Sequence, residues 1–185
     1  MTHEDATLSS FEAALLRPAL PAGEAHWGFV LLPKAASAKL PRRGRTTVTG
    51  SVNGQPFQVM LEPDGQKSHW LRIDPTLQDA AGLQFGETAH YQIAAVEQEP
   101  EPEIPTDLQS ALEATPEALV VWRGTTTIAR VDWIHWIVTA KQASTRAKRI
   151  RDACEMLASG KQRVCCFDPS GFYSKAISAP KQRAD

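Results

Sequence analysis

The sequence predicts an α+β protein in which a small antiparallel β-barrel precedes an α-helical module. Three observations predict it. Residues 9–97 carry short alternating runs broken by turn residues. Residues 97–105, Glu-Gln-Glu-Pro-Glu-Pro-Glu-Ile-Pro, interrupt every periodicity. From Thr106 onward the apolar spacing becomes helical. The chain therefore divides into a barrel domain over 9–97, an acidic proline-rich linker over 98–105, a helical module over 106–160 and a partly mobile extension over 161–185.

In the barrel, Phe11, Ala13 and Leu15 alternate with variable positions and predict a first strand. His26 to Leu32 is an apolar run closed by Pro33, the pattern of a buried strand. Arg45–Val52 and Gln55–Leu61 flank Asn53-Gly54, a strong hairpin signal because both turn residues need positive φ. Asp64-Gly65 marks another turn before a strand over Ser68–Ile73. Asp74-Pro75 reads as an N-cap with proline at the first helical position, opening a short helix that ends near Gly82. Thr88 to Val96 alternates again, with Tyr91, Ile93 and Ala95 on one face. An open sheet of these six strands would leave an apolar face uncovered, whereas a barrel covers it.

The linker's prolines remove backbone donors and its glutamates repel one another, so neither helix nor strand is favoured there. Beyond it, Thr106 and Thr115-Pro116 are N-cap candidates for two short helices, the second broken by Gly124. A third helix is predicted from about Thr126 to Lys141. A fourth runs from about Ser144 to Ser159, with Gly160 in the C-cap place. On the third helix, Val131, Ile134, Ile137 and Val138 form one apolar stripe, and Ala129, Trp133, Trp136 and Ala140 form another. A helix apolar on two sides is sandwiched between two partners, here the neighbouring helices and the barrel. The fourth helix buries Ile150, Ala153, Cys154 and Leu157. Its Arg146 falls on the apolar side as an internal strut.

An apolar share of 42% supports a core, and the longest apolar run falls far short of the roughly 18 residues of a membrane span. The polar start, Met-Thr-His-Glu-Asp, is no secretory signal. Cys154, Cys165 and Cys166 offer neither a disulfide framework nor a C-x-x-C ligand pair, which suits a reducing cytoplasm. Net charge is uneven. From Lys141 onward ten Lys/Arg meet four Asp/Glu, giving +6, while the first 140 residues hold ten against seventeen, giving −7.

Phosphate-loop, dinucleotide, metalloprotease and nucleophile-elbow motifs are all missing, so no catalytic residue and no cofactor is assigned. Histidines 3, 26, 69, 90 and 135 are too scattered for a ligand set, and a strand histidine such as His69 or His90 is ordinarily just hydrogen-bonded. Lys141, Lys148, Arg149 and Arg151 are the cations placed to meet a partner. Trp133, Trp136 and Arg146 are expected to line a cleft or act as struts between helices and barrel.

Two sets of residues carry a family resemblance. Trp27–Pro33, Arg43-Gly44, Val48–Phe57, Pro63-Asp-Gly65, Ala81-Gly82 and Gly86-Glu87 resemble an uncharacterised bacterial β-barrel domain, with Gly86-Glu87-Thr88 departing mildly from its usual turn. That resemblance implies a double-split, AbrB-like barrel capped by helices. Ile104–Leu108, Ala111-Leu112, Trp133-Ile134, Ala140-Lys141 and Thr145–Ile150 resemble the YdeI/OmpD-associated, bacteriocin-protection family. It implies a non-enzymatic protein of bacteriocin or cationic-peptide tolerance, acting through an unknown protein or envelope partner. Two alternatives stand beside it: a nucleic-acid-binding regulator using the barrel and the basic C-terminal section, and a small-ligand or enzymatic site in the barrel–helix cleft.

Overall fold

The computed structural model describes residues 3–20, 26–164 and 177–184. They form two compact units. One holds the chain up to Gln98 together with the segment from Ile177, and the other begins at Glu99.

The first unit opens with α1 (His3–Thr7), β1 (Ser9–Ala14), β2 (Gly28–Leu31) and α2 (Lys34–Ala38). It continues through β3 (Thr46–Val52), β4 (Gln55–Pro63), β5 (His69–Ile73), α3 (Pro75–Ala80) and β6 (Thr88–Ala95). All pairings are antiparallel, in the order β1-β6-β3-β4-β5-β2. The two edge strands then meet where Leu16 and Phe29 exchange backbone hydrogen bonds of 2.8 and 3.0 Å. The sheet is thereby a nearly closed six-stranded barrel, and closure removes the exposed edges.

Local chemistry accounts for its parts. Asn53 and Gly54 take φ of 48° and 79°, the mirror-image turn that matches strand twist, and Val52 pairs with Gln55 across it. Asp74 caps α3 by accepting the Leu77 amide at 2.8 Å. Gly50 lies where β6 crosses so closely that a Cβ would stand 2.0 Å from the Gln92 carbonyl oxygen. Alternation on β6 buries Ala89, Tyr91, Ile93 and Ala95, which join Leu15, Val48 and Leu71 inside the barrel.

Three features of this unit went unread in the sequence, the first being α1. The short helix α2 lies in a run with weak apolar spacing. The segment 177–184, expected within a mobile tail, bonds back to the barrel domain: the Ala19 amide donates to Lys181 and the Arg183 amide to Arg17, each at 2.8 Å. Cys165, Cys166 and the Asp168-Pro-Ser-Gly171 turn fall outside the described residues.

The second unit comprises α4 (Thr106–Glu113), α5 (Pro116–Gly124), α6 (Thr127–Val138) and α7 (Ala143–Ala158). Thr115 and Thr126 occupy N-cap positions, and Thr126 accepts the Ala129 amide at 3.2 Å. Thr106 is instead the first helical residue, because Pro105 already holds the extended cap geometry. The third helix stops at Val138, short of Lys141, where the Thr139 hydroxyl donates to the His135 carbonyl at 2.7 Å. Gly160, at φ 90°, follows the end of α7 as expected. The core of this unit gathers Leu108, Leu112, Trp122, Trp133, Ile137 and Leu157.

Candidate functional site

The corner between α6 and α7 is built from tryptophans and cations. Trp133 is completely buried and its indole N–H donates to the Gln162 carbonyl at 3.1 Å. Trp136 meets it edge to face at 6.0 Å, a favoured aromatic geometry. Both rings are buried within the helical unit's own core.

The cations of the corner divide by role. Arg146 grips Asp107 in the first turn of α4 with two parallel bonds, Nε to Oδ2 at 2.7 Å and Nη2 to Oδ1 at 3.0 Å. The Arg146 hydrogen bonds hold the Asp107 carboxyl below its usual range, and the same pair raises the guanidinium. Arg149 donates from Nη1 to the Trp136 carbonyl at 2.6 Å and lies 5.5 Å from that ring's centroid. It thereby serves the last turn of α6, where carbonyls lack helical partners and the helix dipole is negative. Arg149, expected to face a partner, is half-buried and reaches the Trp136 carbonyl. Lys148 stays exposed but pairs with Asp152, one turn on, at 2.6 Å. Lys141 and Arg151 are exposed.

Sequence reasoning missed Arg130. It is largely buried, bonds Glu101 through Nε at 3.1 Å, and donates to the carbonyl of Trp122 at 3.3 Å. One guanidinium thus joins the linker's glutamate, the end of α5 and the start of α6. The hydrogen bond from Arg130, then that from Thr127, holds the Glu101 carboxyl below its usual range.

A second site lies in the barrel unit and was also missed. A cavity of about 280 Å³ is lined by Ser37, Leu40, Arg42, Arg43, Lys67 and His69. Its floor is a buried pair, with Ser37 Oγ 2.7 Å from His69 Nδ1. His69 Nε2 lies 2.9 Å from the Gly44 carbonyl oxygen. A carbonyl only accepts, so Nε2 carries a proton, and in the neutral ring Nδ1 accepts from the Ser37 hydroxyl. Burial lowers the His69 pKa from 6.5, against the opposing pull of the Gly44 carbonyl and the Asp64 charge.

The cavity's cations come from two segments. Arg42 and Arg43 follow α2, and Arg42 donates to Thr46 Oγ1 at 3.2 Å. Lys67 sits in the turn before β5, where Asp64 Oδ1 accepts the amides of Gln66 at 2.7 Å and Ser68 at 2.9 Å. That turn holds Lys67 at φ 69°, a left-handed conformation few lysines adopt. A signal for this site was present in the sequence. Residues 34–45 hold Lys34, Lys39, Arg42, Arg43 and Arg45 with no acidic residue, inside a first section that is acidic overall.

Both segments match known families. Residues 101–160 match the bacteriocin-protection, YdeI or OmpD-associated family model. Residues 11–93 match the model of a domain of unknown function, DUF1905. No curated protein matches the chain. The Trp–Arg corner thus falls inside the YdeI/OmpD-associated segment, and the cationic cavity falls inside the DUF1905 segment. Among the described residues, no helix is long and apolar enough to cross a membrane.

Proposed function

We propose that the chain is a non-enzymatic interaction protein whose helical unit meets an acidic protein partner through Lys141, Lys148 and Arg151. The observation that supports this reading is the division of labour among the corner's cations. Arg146 and Arg149 are spent on Asp107 and on the Trp136 carbonyl, whereas Lys141 and Arg151 stay in water. Val138, 42% exposed and three residues before Lys141, adds apolar area to the same end of α6. Cations so placed steer a partner of opposite charge and raise its association rate.

The process is tolerance of bacteriocins or cationic antimicrobial peptides, in keeping with the description of the family matched by residues 101–160. A cytoplasmic setting and a double-split, AbrB-like type for the barrel belong to the same proposal. The antiparallel order β1-β6-β3-β4-β5-β2 is compatible with that type. The test is the growth of a deletion strain against a polymyxin-like peptide. Increased sensitivity, restored by the wild-type chain but not by the Lys141→Gln/Arg151→Gln pair, is expected. Unchanged sensitivity of the deletion strain would sink the reading.

A further inference from the structure

We propose that the cavity beside α2 binds a small phosphomonoester, held by its phosphoryl group between Arg42, Arg43 and Lys67 over the Ser37–His69 floor. Four observations carry this.

The first is charge. Three cations from two separate segments line one concavity, and none of its lining residues is acidic. Cations scattered on a convex surface are solvated one by one. Gathered round one cavity they give it a positive potential that draws an anion.

The second is the floor. Ser37 and His69 are 6% and 2% exposed, so polar side chains are built into the bottom of the cavity. His69 is held at both nitrogens, by Ser37 and by the Gly44 carbonyl, which makes the floor rigid.

The third is the Lys67 turn. Asp64 clamps it through two amides, and Lys67 is held in a conformation that disfavours any residue with a side chain. Glycine would relieve that strain but would bring no ammonium to the cavity.

The fourth is size and chemistry. The exposed Arg43 fork and Lys67 ammonium, with Arg42 beside them, suit a dianionic phosphoryl group with several equatorial oxygens better than a singly charged carboxylate. A volume of about 280 Å³ lies just under the ~300–1,000 Å³ range of small-molecule sites, which limits the organic part to a few atoms. Leu40, buried in the wall, offers that part an apolar contact.

The site is in the barrel unit and uses none of the residues assigned to the partner surface, so the two proposals stand or fall separately. The experiment is calorimetric titration of the full chain at low salt with glycerol 3-phosphate, inorganic phosphate and acetate. The same proteins are followed by nitrogen-15 NMR of the histidine side chains. Glycerol 3-phosphate is expected to bind with a Kd of ~1 mM or tighter, at least as well as phosphate, and acetate roughly tenfold or more weakly. The exposed pair Arg43→Gln/Lys67→Gln, checked for native circular dichroism, is expected to weaken the ester about tenfold or more. Arg151→Gln leaves binding unchanged, and the His69 ring nitrogens shift on titration. No binding of the ester at ~10 mM would overturn the proposal. Equal binding by the Arg43/Lys67 variant, or exclusion of the ester while phosphate binds, would do the same. Retention of a short DNA duplex without binding of either phosphate compound would reassign the cations to a nucleic-acid backbone.

Discussion

Arg149 offers the sharpest test of the idea that Arg146 and Arg149 are internal fastenings of the corner. Replacing it with methionine keeps the length and the helix propensity of the side chain but removes the charge and every donor. The Trp136 carbonyl then loses a charge-assisted hydrogen bond of 2.6 Å. Such bonds contribute about 1.5–3 kcal/mol when the site is shielded. Partial exposure of Arg149 reduces that figure, while its place at a helix C-terminus and beside the Trp136 ring adds a few tenths. The expected loss is about 1.5–2 kcal/mol. Arg151→Met, on the exposed face of the same helix, is expected to stay within about 0.5 kcal/mol. Urea unfolding followed by tryptophan fluorescence reads the difference, because Trp122, Trp133 and Trp136 all sit in the core of the helical unit. With a slope near ~1 kcal/mol/M for so small a unit, Arg149→Met moves the midpoint down by about 1.5 M or more. Equal midpoints for the two variants would refute the reasoning.

Four further outcomes follow from the geometry. The Tyr91 hydroxyl is buried with no hydrogen-bond partner among the described residues, so Tyr91→Phe should raise barrel stability by about 1 kcal/mol in thermal unfolding. Burial also pushes the phenol up to about 12, so barrel stability is unaffected by this group below pH 10 and falls as pH climbs from 10 through 12; an ultraviolet titration should show this late ionisation. Gly50→Ala should cost the barrel about 2 kcal/mol or more in the same thermal assay, because the added carbon meets the Gln92 backbone and not a flexible side chain. Asp107 is held below 3.8, chiefly by its Arg146 hydrogen bonds, so its stabilisation is present above that value and lost as pH falls below it. The carboxylate is half exposed, so water reduces the effect to under about 1 kcal/mol; Asp107→Asn should remove this pH dependence in acid unfolding curves.

Much of the fold was legible because its signals are local. The Asn53-Gly54 turn, the Asp74 and Thr126 caps and the alternation over β6 each depend on residues a few positions apart. Barrel closure between Leu16 and Phe29 and the return of residues 177–184 depend on distant backbone partners, which no periodicity encodes. The same distinction governs the sites. The cation-rich corner was visible as a pattern and Arg146 as a strut within it, but the partners of Arg146 and Arg149 were not. Arg149 reaches a carbonyl thirteen positions earlier, and Arg146 reaches an acid thirty-nine positions earlier. The Ser37–His69 pair spans thirty-two positions. The basic run over 34–45 could have been found by scanning charge in short windows, but the acidic total of the surrounding residues concealed it.

The central claim is that the cations shaped for a ligand lie in the barrel cavity, while those of the Trp–Arg corner split between internal fastening and a partner surface. A nitrogen-15 backbone NMR titration of the full chain with inorganic phosphate tests it most directly. The account predicts saturable shifts at Ser37, Gly44, Lys67 and His69, with residues 141–151 unmoved. Shifts confined to residues 141–151, with the cavity silent, would contradict it.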